Sequence, residues 1–166
     1  MVRLRGAIRG MTMVNEGDIA PDVELTGAES DTVKVGDFKG QKLVLYFYPK
    51  DDTSGCTREA QDFTALAEEF EKAGTFVVGV SKDSPSSHTK FTDKYGLKVR
   101  LLSDSEGAAC EAFGTWVEKS MYGRKYMGIE RATFLINRDG VVERAWRKVK
   151  VPGHAQEVLE AARALP

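Results

Sequence analysis

The apolar residues fall into short continuous runs that alternate with stretches of helical spacing. The run at residues 43–48 is apolar, aromatic and β-branched, which predicts a buried strand. We expect that strand to end at Tyr48, because Pro49 forces the residue before it into an extended conformation. From Gly55 onward the spacing becomes helical along one face, at Cys56, Ala60, Phe63, Ala67 and Phe70. Thr53 or Ser54 is placed to cap this helix.

Further strands and helices alternate along the rest of the chain. Strands are predicted at residues 22–25, 32–35, 75–80 and 99–102, and a long helix precedes residue 75. Ser84 and Pro85 open a helix that ends at Gly96, and Asp104 caps a short helix that ends before Gly114. The succession of strand, helix and strand implies parallel pairing.

The last third of the chain predicts a hairpin and a closing helix. Residues 115–127 are polar, aromatic and irregular, and residues 131–136 and 141–149 flank a four-residue turn that favours an antiparallel hairpin. A helix begins near His154. We therefore predict an α/β fold with a central mixed β-sheet and helices on both faces, in a single domain at residues 16–166.

Length and charge narrow the function classes. The 166 residues suffice for one domain with a sizeable core, and the net charge of -1 gives no electrostatic case for nucleic acid or an anionic membrane. Residues 1–15 are interpreted as a basic, mostly disordered leader, with Met1, Met11 and Met13 all open as translation starts. Apolar runs stay far below the roughly 20 residues of a membrane helix, and two cysteines fit a reducing cytoplasm.

Cys56 is the leading candidate for chemistry. A cysteine in the first turn of a helix lies near unpaired backbone N–H groups and the positive end of the helix dipole, which favour the thiolate over the thiol. The thiolate is the nucleophilic form of cysteine. The preceding loop at residues 49–55 is too polar for core, and open α/β sheets place their sites at such strand ends.

Two blocks of sequence resemble a known family. The run from Phe47 to Cys56 is similar to the Pro-x-x-x-Thr-x-x-Cys signature of peroxiredoxins, and its context resembles the peroxiredoxin Q group, also called bacterioferritin comigratory proteins. Residues 118–136, which contain Arg131, resemble a later block of the same group. The likeness extends from about Gly17 to the end of the chain.

The resemblance implies a thioredoxin fold and a thiol peroxidase that reduces hydrogen peroxide and organic hydroperoxides. It implies that Cys56 is the peroxidatic nucleophile and that Thr53, Pro49 and Arg131 complete its pocket. Attack on an O–O bond builds negative charge on the departing oxygen, so a permanently charged arginine and a hydroxyl donor suit this site. Glu59 either braces Arg131 or only complements the helix dipole, and both readings stay open.

Recycling of the expected sulfenic acid needs a second thiol. Peroxiredoxin Q proteins often carry it five residues after the first cysteine or on a later helix, but this chain has Gln61 and Thr92 in those regions. Cys110 is the remaining thiol, and the spacing of Ala109 and Phe113 favours a buried core position for it. We therefore expect an external reductant such as thioredoxin, glutaredoxin or glutathione. The resemblance to peroxiredoxin Q proteins implies a monomer or weak homodimer.

Other sites and functions are less well supported. His88 and His154 are not at ligand spacing with a cysteine, so we expect two surface histidines and no metal or other cofactor. A disulfide oxidoreductase normally needs Cys-x-x-Cys, whereas Arg58 and Glu59 follow Cys56 here. A redox-sensing or chaperone-like binding protein of the same fold, without turnover, is the remaining alternative.

Overall fold

The computed structural model describes residues 14–166, and one seven-stranded sheet organises them. The strands of this part of the chain are β1 Glu24–Thr26, β2 Thr32–Lys34, β3 Lys42–Phe47, β4 Thr75–Ser81, β5 Arg100–Ser103, β6 Trp116–Met121, β7 Arg124–Ile129, β8 Ala132–Ile136 and β9 Val142–Trp146. The strand order of the seven-stranded sheet is β2-β1-β5-β4-β3-β8-β9, and β6 and β7 form a separate two-stranded sheet.

Five α-helices are found in this part of the chain, together with a 3-10 turn at Val35–Phe38. The helices are α1 Ser54–Ala65, α2 Ala67–Lys72, α3 Pro85–Tyr95, α4 Ala108–Ala112 and α5 His154–Ala164. The single long helix predicted before residue 75 is thus divided at Leu66. Gly96 ends α3 in the left-handed conformation, with φ of 61°, as expected for a residue without a β-carbon.

The central strand β3 explains the two-sided core. It pairs in parallel with β4 and antiparallel with β8, which confirms the mixed sheet. Leu43, Leu45 and Phe47 pack into one apolar cluster, and Val44 and Tyr46 pack into another. Because successive side chains of a strand point to opposite faces, the clusters lie on opposite sides of the sheet. Helices α1, α3 and α5 cover one side, whereas α4 lies on the other.

The region predicted to be irregular is a β-hairpin, so that prediction was wrong. Strands β6 and β7 pair antiparallel from Trp116 with Ile129 to Met121 with Arg124. Tyr122 and Gly123 connect them, both with positive φ, which matches the two-residue turns that favour tight hairpins. Their side chains are mostly exposed or half-buried, so no buried apolar run marked these strands in the sequence.

The predicted leader overlaps the described residues only at its end. Residues 1–13 lie outside the part that the structure describes. Val14 is buried in the core cluster with Leu43, and the backbone N–H of Gly17 donates to the carbonyl oxygen of Val142. Within residues 14–166, none of the helices combines the length and apolarity needed to cross a bilayer.

Candidate active site

Cys56 lies in the first turn of α1, directly after the loop that leaves β3. Thr53 occupies the N-cap position in an extended conformation. Its hydroxyl donates to the carbonyl oxygen of Lys50 at 2.8 Å rather than accepting from the helix, and Ser54 is already helical. The predicted helix start is therefore confirmed, but the expected side-chain cap is not formed. Cys56 is only 2% exposed.

Arg131 joins the cysteine to a buried carboxylate. Its Nη2 donates to Sγ of Cys56 at 3.4 Å, and its Nη1 donates to Oε1 of Glu59 at 2.6 Å. The sheet explains this approach, since Ala132 at the start of β8 pairs with Phe47 at the end of β3. Arg131 thus precedes β8 beside the loop that leads to Cys56. The predicted contact with Cys56 and the bracing by Glu59 are both present.

Burial and charge oppose each other at this pair. Burial raises the pKa of Glu59 to about 7, although Arg131 acts to lower it. For Arg131, burial acts to lower the pKa, but the charges of Glu59 and Cys56 outweigh it and leave the pKa above its ordinary value. The guanidinium is therefore a fixed positive charge beside the sulfur. Among the described residues, Oε2 of Glu59 and the hydroxyl of Tyr46 are buried without a hydrogen-bond partner.

Because Gly55 has no side chain, the guanidinium of Arg131 can lie close to it. A β-carbon at this position would lie 3.2 Å from Nη2 of Arg131, which is closer than ordinary van der Waals contact. Thr53 is exposed and Pro49 is half-buried in the loop. The described hydrogen bonds link neither of these two residues to the sulfur. Of the four predicted site residues, the structure therefore brings Cys56 and Arg131 into direct contact and places the other two in the adjoining loop.

The loop contains a buried carboxylate that the sequence pattern did not indicate. Asp51 accepts from the hydroxyl of Tyr48 at 2.6 Å and from that of Ser87 at 2.8 Å. Nδ1 of His88 lies 2.7 Å from its Oδ2. The prediction of a surface His88 was wrong, since the residue is 2% exposed. Helical spacing could have placed it inside, because His88 precedes the buried Phe91 by three positions.

His154 was also wrongly predicted to lie on the surface. It is 5% exposed, and its Nε2 lies 2.8 Å from the hydroxyl oxygen of Thr133. Burial lowers the pKa of His154 to about 4, so the ring is neutral at physiological pH. Within residues 14–166 no cluster of three or more potential metal ligands is present.

Cys110 lies in the core, as its spacing predicted. It is fully buried on α4, and the Asp104 carboxylate accepts from the backbone N–H groups of Ala109 and Cys110. Burial raises the pKa of the Cys110 thiol to about 12. Cys110 packs in the cluster with Phe47, whereas Cys56 packs in the cluster with Tyr46. The two thiols therefore lie on opposite faces of the sheet.

Comparison with known proteins gives concordant matches. Residues 16–145 match the AhpC/TSA family. Peroxiredoxin Bcp of Bacillus subtilis is 49% identical over 144 residues, which cover 87% of this chain and 92% of that protein. The corresponding protein of Xanthomonas campestris is 50% identical over 142 residues, with 86% and 88% covered.

Solved structures show the same likeness. The bacterioferritin comigratory protein of Xanthomonas campestris, whose alkyl peroxide reduction was studied through trapped intermediate and ligand complexes, superposes with a TM-score of 0.83 at 46% identity. That match covers 91% of this chain and 96% of the other. A PrxQ mutant from Xylella fastidiosa gives a TM-score of 0.86 at 43% identity, covering 92% and 98%.

Proposed function

Because the chain belongs to the AhpC/TSA family, as a thiol-dependent peroxidase of the Bcp and PrxQ peroxiredoxin group with the thioredoxin fold, we propose that Cys56 is its peroxidatic nucleophile. The observation that carries this proposal is the 3.4 Å hydrogen bond from Nη2 of Arg131 to the Cys56 sulfur in the first turn of α1. Both the guanidinium and the helix N-terminus favour a negative charge on that sulfur.

In the proposed reaction, the Cys56 thiolate attacks one oxygen of the peroxide. A sulfur–oxygen bond forms while the O–O bond breaks, and the bonding electron pair stays with the departing oxygen, which takes up a proton and leaves as water or an alcohol. Cys56 becomes a sulfenic acid. Arg131 stabilises the charge as it moves from sulfur to oxygen, because its guanidinium remains protonated throughout.

We assign supporting roles to Thr53 and Pro49. The Thr53 hydroxyl can turn from the Lys50 carbonyl oxygen towards a bound peroxide, since a hydroxyl both donates and accepts. Pro49 has no N–H group to hold a competing water molecule in the loop. Glu59 occupies the position of the second cysteine in a Cys-x-x-Cys motif, and its bond to Arg131 argues against the disulfide oxidoreductase alternative.

For recycling, we propose an external thiol. The two cysteines pack on opposite faces of the central sheet, whereas a disulfide needs Cα atoms within about 7 Å. The raised pKa of the Cys110 thiol, about 12, also leaves it almost entirely in the unreactive thiol form at neutral pH. The external thiol condenses with the sulfenic acid to a mixed disulfide and water, and a second thiol then releases Cys56. Thioredoxin, glutaredoxin and glutathione are candidate reductants, and we propose a monomer or weak homodimer.

Mass spectrometry after one equivalent of hydrogen peroxide tests this cycle. We expect the wild-type protein and Cys110→Ser each to gain the mass of one oxygen atom. A reagent specific for sulfenic acids should label Cys56 in both proteins. Cys56→Ser should remain unmodified and should not consume peroxide. Loss of two hydrogens in the wild-type protein, with a bridge between the cysteines, would contradict the external-thiol cycle, whereas peroxide turnover by Cys56→Ser would contradict the role of Cys56.

A further inference from the structure

Asp51 fastens the loop before Cys56 to helix α3. Its carboxylate contacts Tyr48, Ser87 and His88 at 2.6, 2.8 and 2.7 Å. Its backbone N–H also donates to Oδ2 of Asp83, just before α3, at 2.8 Å. The side chains of Asp51 and His88 are 4% and 3% exposed. A buried polar cluster therefore holds the middle of the loop, two residues from Thr53.

The hydrogen-bonding partners of His88 define its charge. Nδ1 faces the Asp51 carboxylate, and Nε2 lies 3.1 Å from the carbonyl oxygen of Leu102. Both partners can only accept hydrogen bonds when the carboxylate is ionised, so both ring nitrogens must carry protons. Burial alone would raise the pKa of Asp51, but the hydrogen bonds from His88, Tyr48 and Ser87 leave it below its ordinary value. The geometry thus describes an imidazolium paired with a carboxylate.

We propose that Asp51 and His88 are positioning residues, a buried carboxylate–imidazolium pair that fixes the loop at residues 49–53 and thereby orients Cys56 towards Arg131 for attack on peroxide. This inference rests on the proposed role of Cys56. The pair acts through the backbone, because the loop leads without interruption into α1, whose third residue is Cys56. Removal of one partner leaves the other charge buried and unpaired, which is much more disruptive than loss of an exposed ion pair.

The variant Asp51→Asn removes the charge of the carboxylate but keeps a side chain of the same shape in the same place. Its amide oxygen can still accept from Tyr48, and its amide nitrogen can donate to Nδ1 of a neutral His88 whose Nε2–H donates to Leu102. We expect this variant to react with hydrogen peroxide within about threefold of the wild-type rate, whereas Asp51→Ala should react at least about tenfold more slowly. Asp52→Asn is the matched control, because Asp52 forms an exposed ion pair with Lys94 of α3, the helix that also carries His88. The peroxide rate of this variant should stay within about twofold of the wild-type rate.

Stopped-flow peroxide kinetics and ¹⁵N NMR of His88 at neutral pH provide the two readouts. Two protonated ring nitrogens are expected in the wild-type protein and one in Asp51→Asn, which tests the charged pair itself. The positioning role is tested by the peroxide rate, which Asp51→Asn should retain and Asp51→Ala should lose. If Asp51→Ala does not fold, His88→Gln takes its place, since its amide cannot reach both Asp51 and Leu102 from the ring positions. A wild-type rate in Asp51→Ala or His88→Gln, or one unprotonated ring nitrogen on His88 of the wild-type protein, would overturn the proposal. Peroxide consumption by Cys56→Ser would instead refute the proposed function.

Discussion

At the scale of single residues, Arg131 connects the proposed nucleophile Cys56 to the buried Glu59. One of its terminal nitrogens contacts the Cys56 sulfur and the other contacts Glu59. A lysine would retain the charge, but it lacks the planar fork that bonds two partners in fixed geometry. The site therefore uses both the charge of arginine and its shape.

Arg131→Met should slow the reaction of reduced protein with hydrogen peroxide by at least about tenfold, because loss of a charged donor from a closed site costs a few kcal/mol. Arg131→Lys is the matched control and should fall between this variant and the wild-type protein. Stopped-flow kinetics at several peroxide concentrations measures the second-order rate constants. Equal rates for all three proteins would remove Arg131 from the reaction.

Glu59 should make stability depend on pH in an unusual direction for a carboxyl group. Burial raises its folded pKa from 4.5 to about 7, so its stabilising contribution is complete below pH 4.5 and is lost as the pH rises towards 7. Relative to wild type, Glu59→Gln should therefore gain on the order of 2 kcal/mol of unfolding free energy across that interval. Urea unfolding at a series of pH values measures the difference. Glu71→Gln, an exposed control on α2, should show no such trend.

At the scale of elements, the start of α1 depends on the absence of a side chain at Gly55. Alanine is a better helix former than glycine by about 1 kcal/mol, yet a β-carbon at Gly55 would lie 3.2 Å from Nη2 of Arg131. The guanidinium is bonded on two sides and has little freedom to retreat. Local helix stability and the geometry of the site therefore favour different residues at this position.

Gly55→Ala should consequently lower the peroxide rate by about three- to tenfold, which corresponds to roughly 1 kcal/mol in the barrier. Thermal unfolding should change little, because the gain in helix propensity offsets the tighter contact. The neighbouring exposed Ser54, replaced by alanine, is the control and should retain the wild-type rate. A Gly55→Ala protein with unchanged kinetics would show that Arg131 can shift without consequence.

The elements also show how far the sequence could predict the structure. Continuous apolar runs marked β3 and β4 within one residue of their observed bounds, because these strands are buried on both faces. The hairpin β6–β7 was missed because its side chains are largely exposed. The contact between Cys56 and Arg131 spans 75 residues, and local spacing contains no information at that range; only the resemblance to a family brought the two together. The contact between Asp51 and His88, 37 residues apart, was missed for the same reason, although the helical spacing of His88 and Phe91 could have indicated that the histidine is buried.

At the scale of the whole molecule, the sheet separates two chemical environments. Cys56 lies on the face covered by α1, α3 and α5, beside a guanidinium and polar loop residues, whereas Cys110 lies in the apolar cluster on the other face. A backbone layer of seven strands is therefore interposed between the thiols. Under the proposed function, the same architecture keeps peroxide chemistry on the Cys56 face and makes Cys110 a packing residue.

His154 connects the stability of the whole fold to acid conditions. It is the first residue of α5 and contacts Thr133 on β8, so it joins the last helix to the central sheet. Burial lowers its folded pKa from 6.5 to about 4. A histidine with a lowered folded pKa contributes stability above pH 6.5 and loses it as the pH falls towards 4.

The contributions of His154 and Glu59 therefore have opposite slopes in overlapping pH ranges. The variant His154→Gln can retain a hydrogen bond to Thr133, but its side chain does not titrate, so it lacks the loss of stability that His154 causes in acid. Its free energy of unfolding relative to wild type should therefore rise by on the order of 2 kcal/mol as the pH falls from 6.5 to 4. Glu59→Gln should show its relative gain in the other direction, as the pH rises. Urea unfolding of both variants over the same pH series measures the two slopes. Slopes of the same sign would contradict burial as the cause of at least one of these pKa shifts. Burial favours the neutral form of each side chain, and the neutral imidazole dominates at high pH whereas the neutral carboxyl group dominates at low pH.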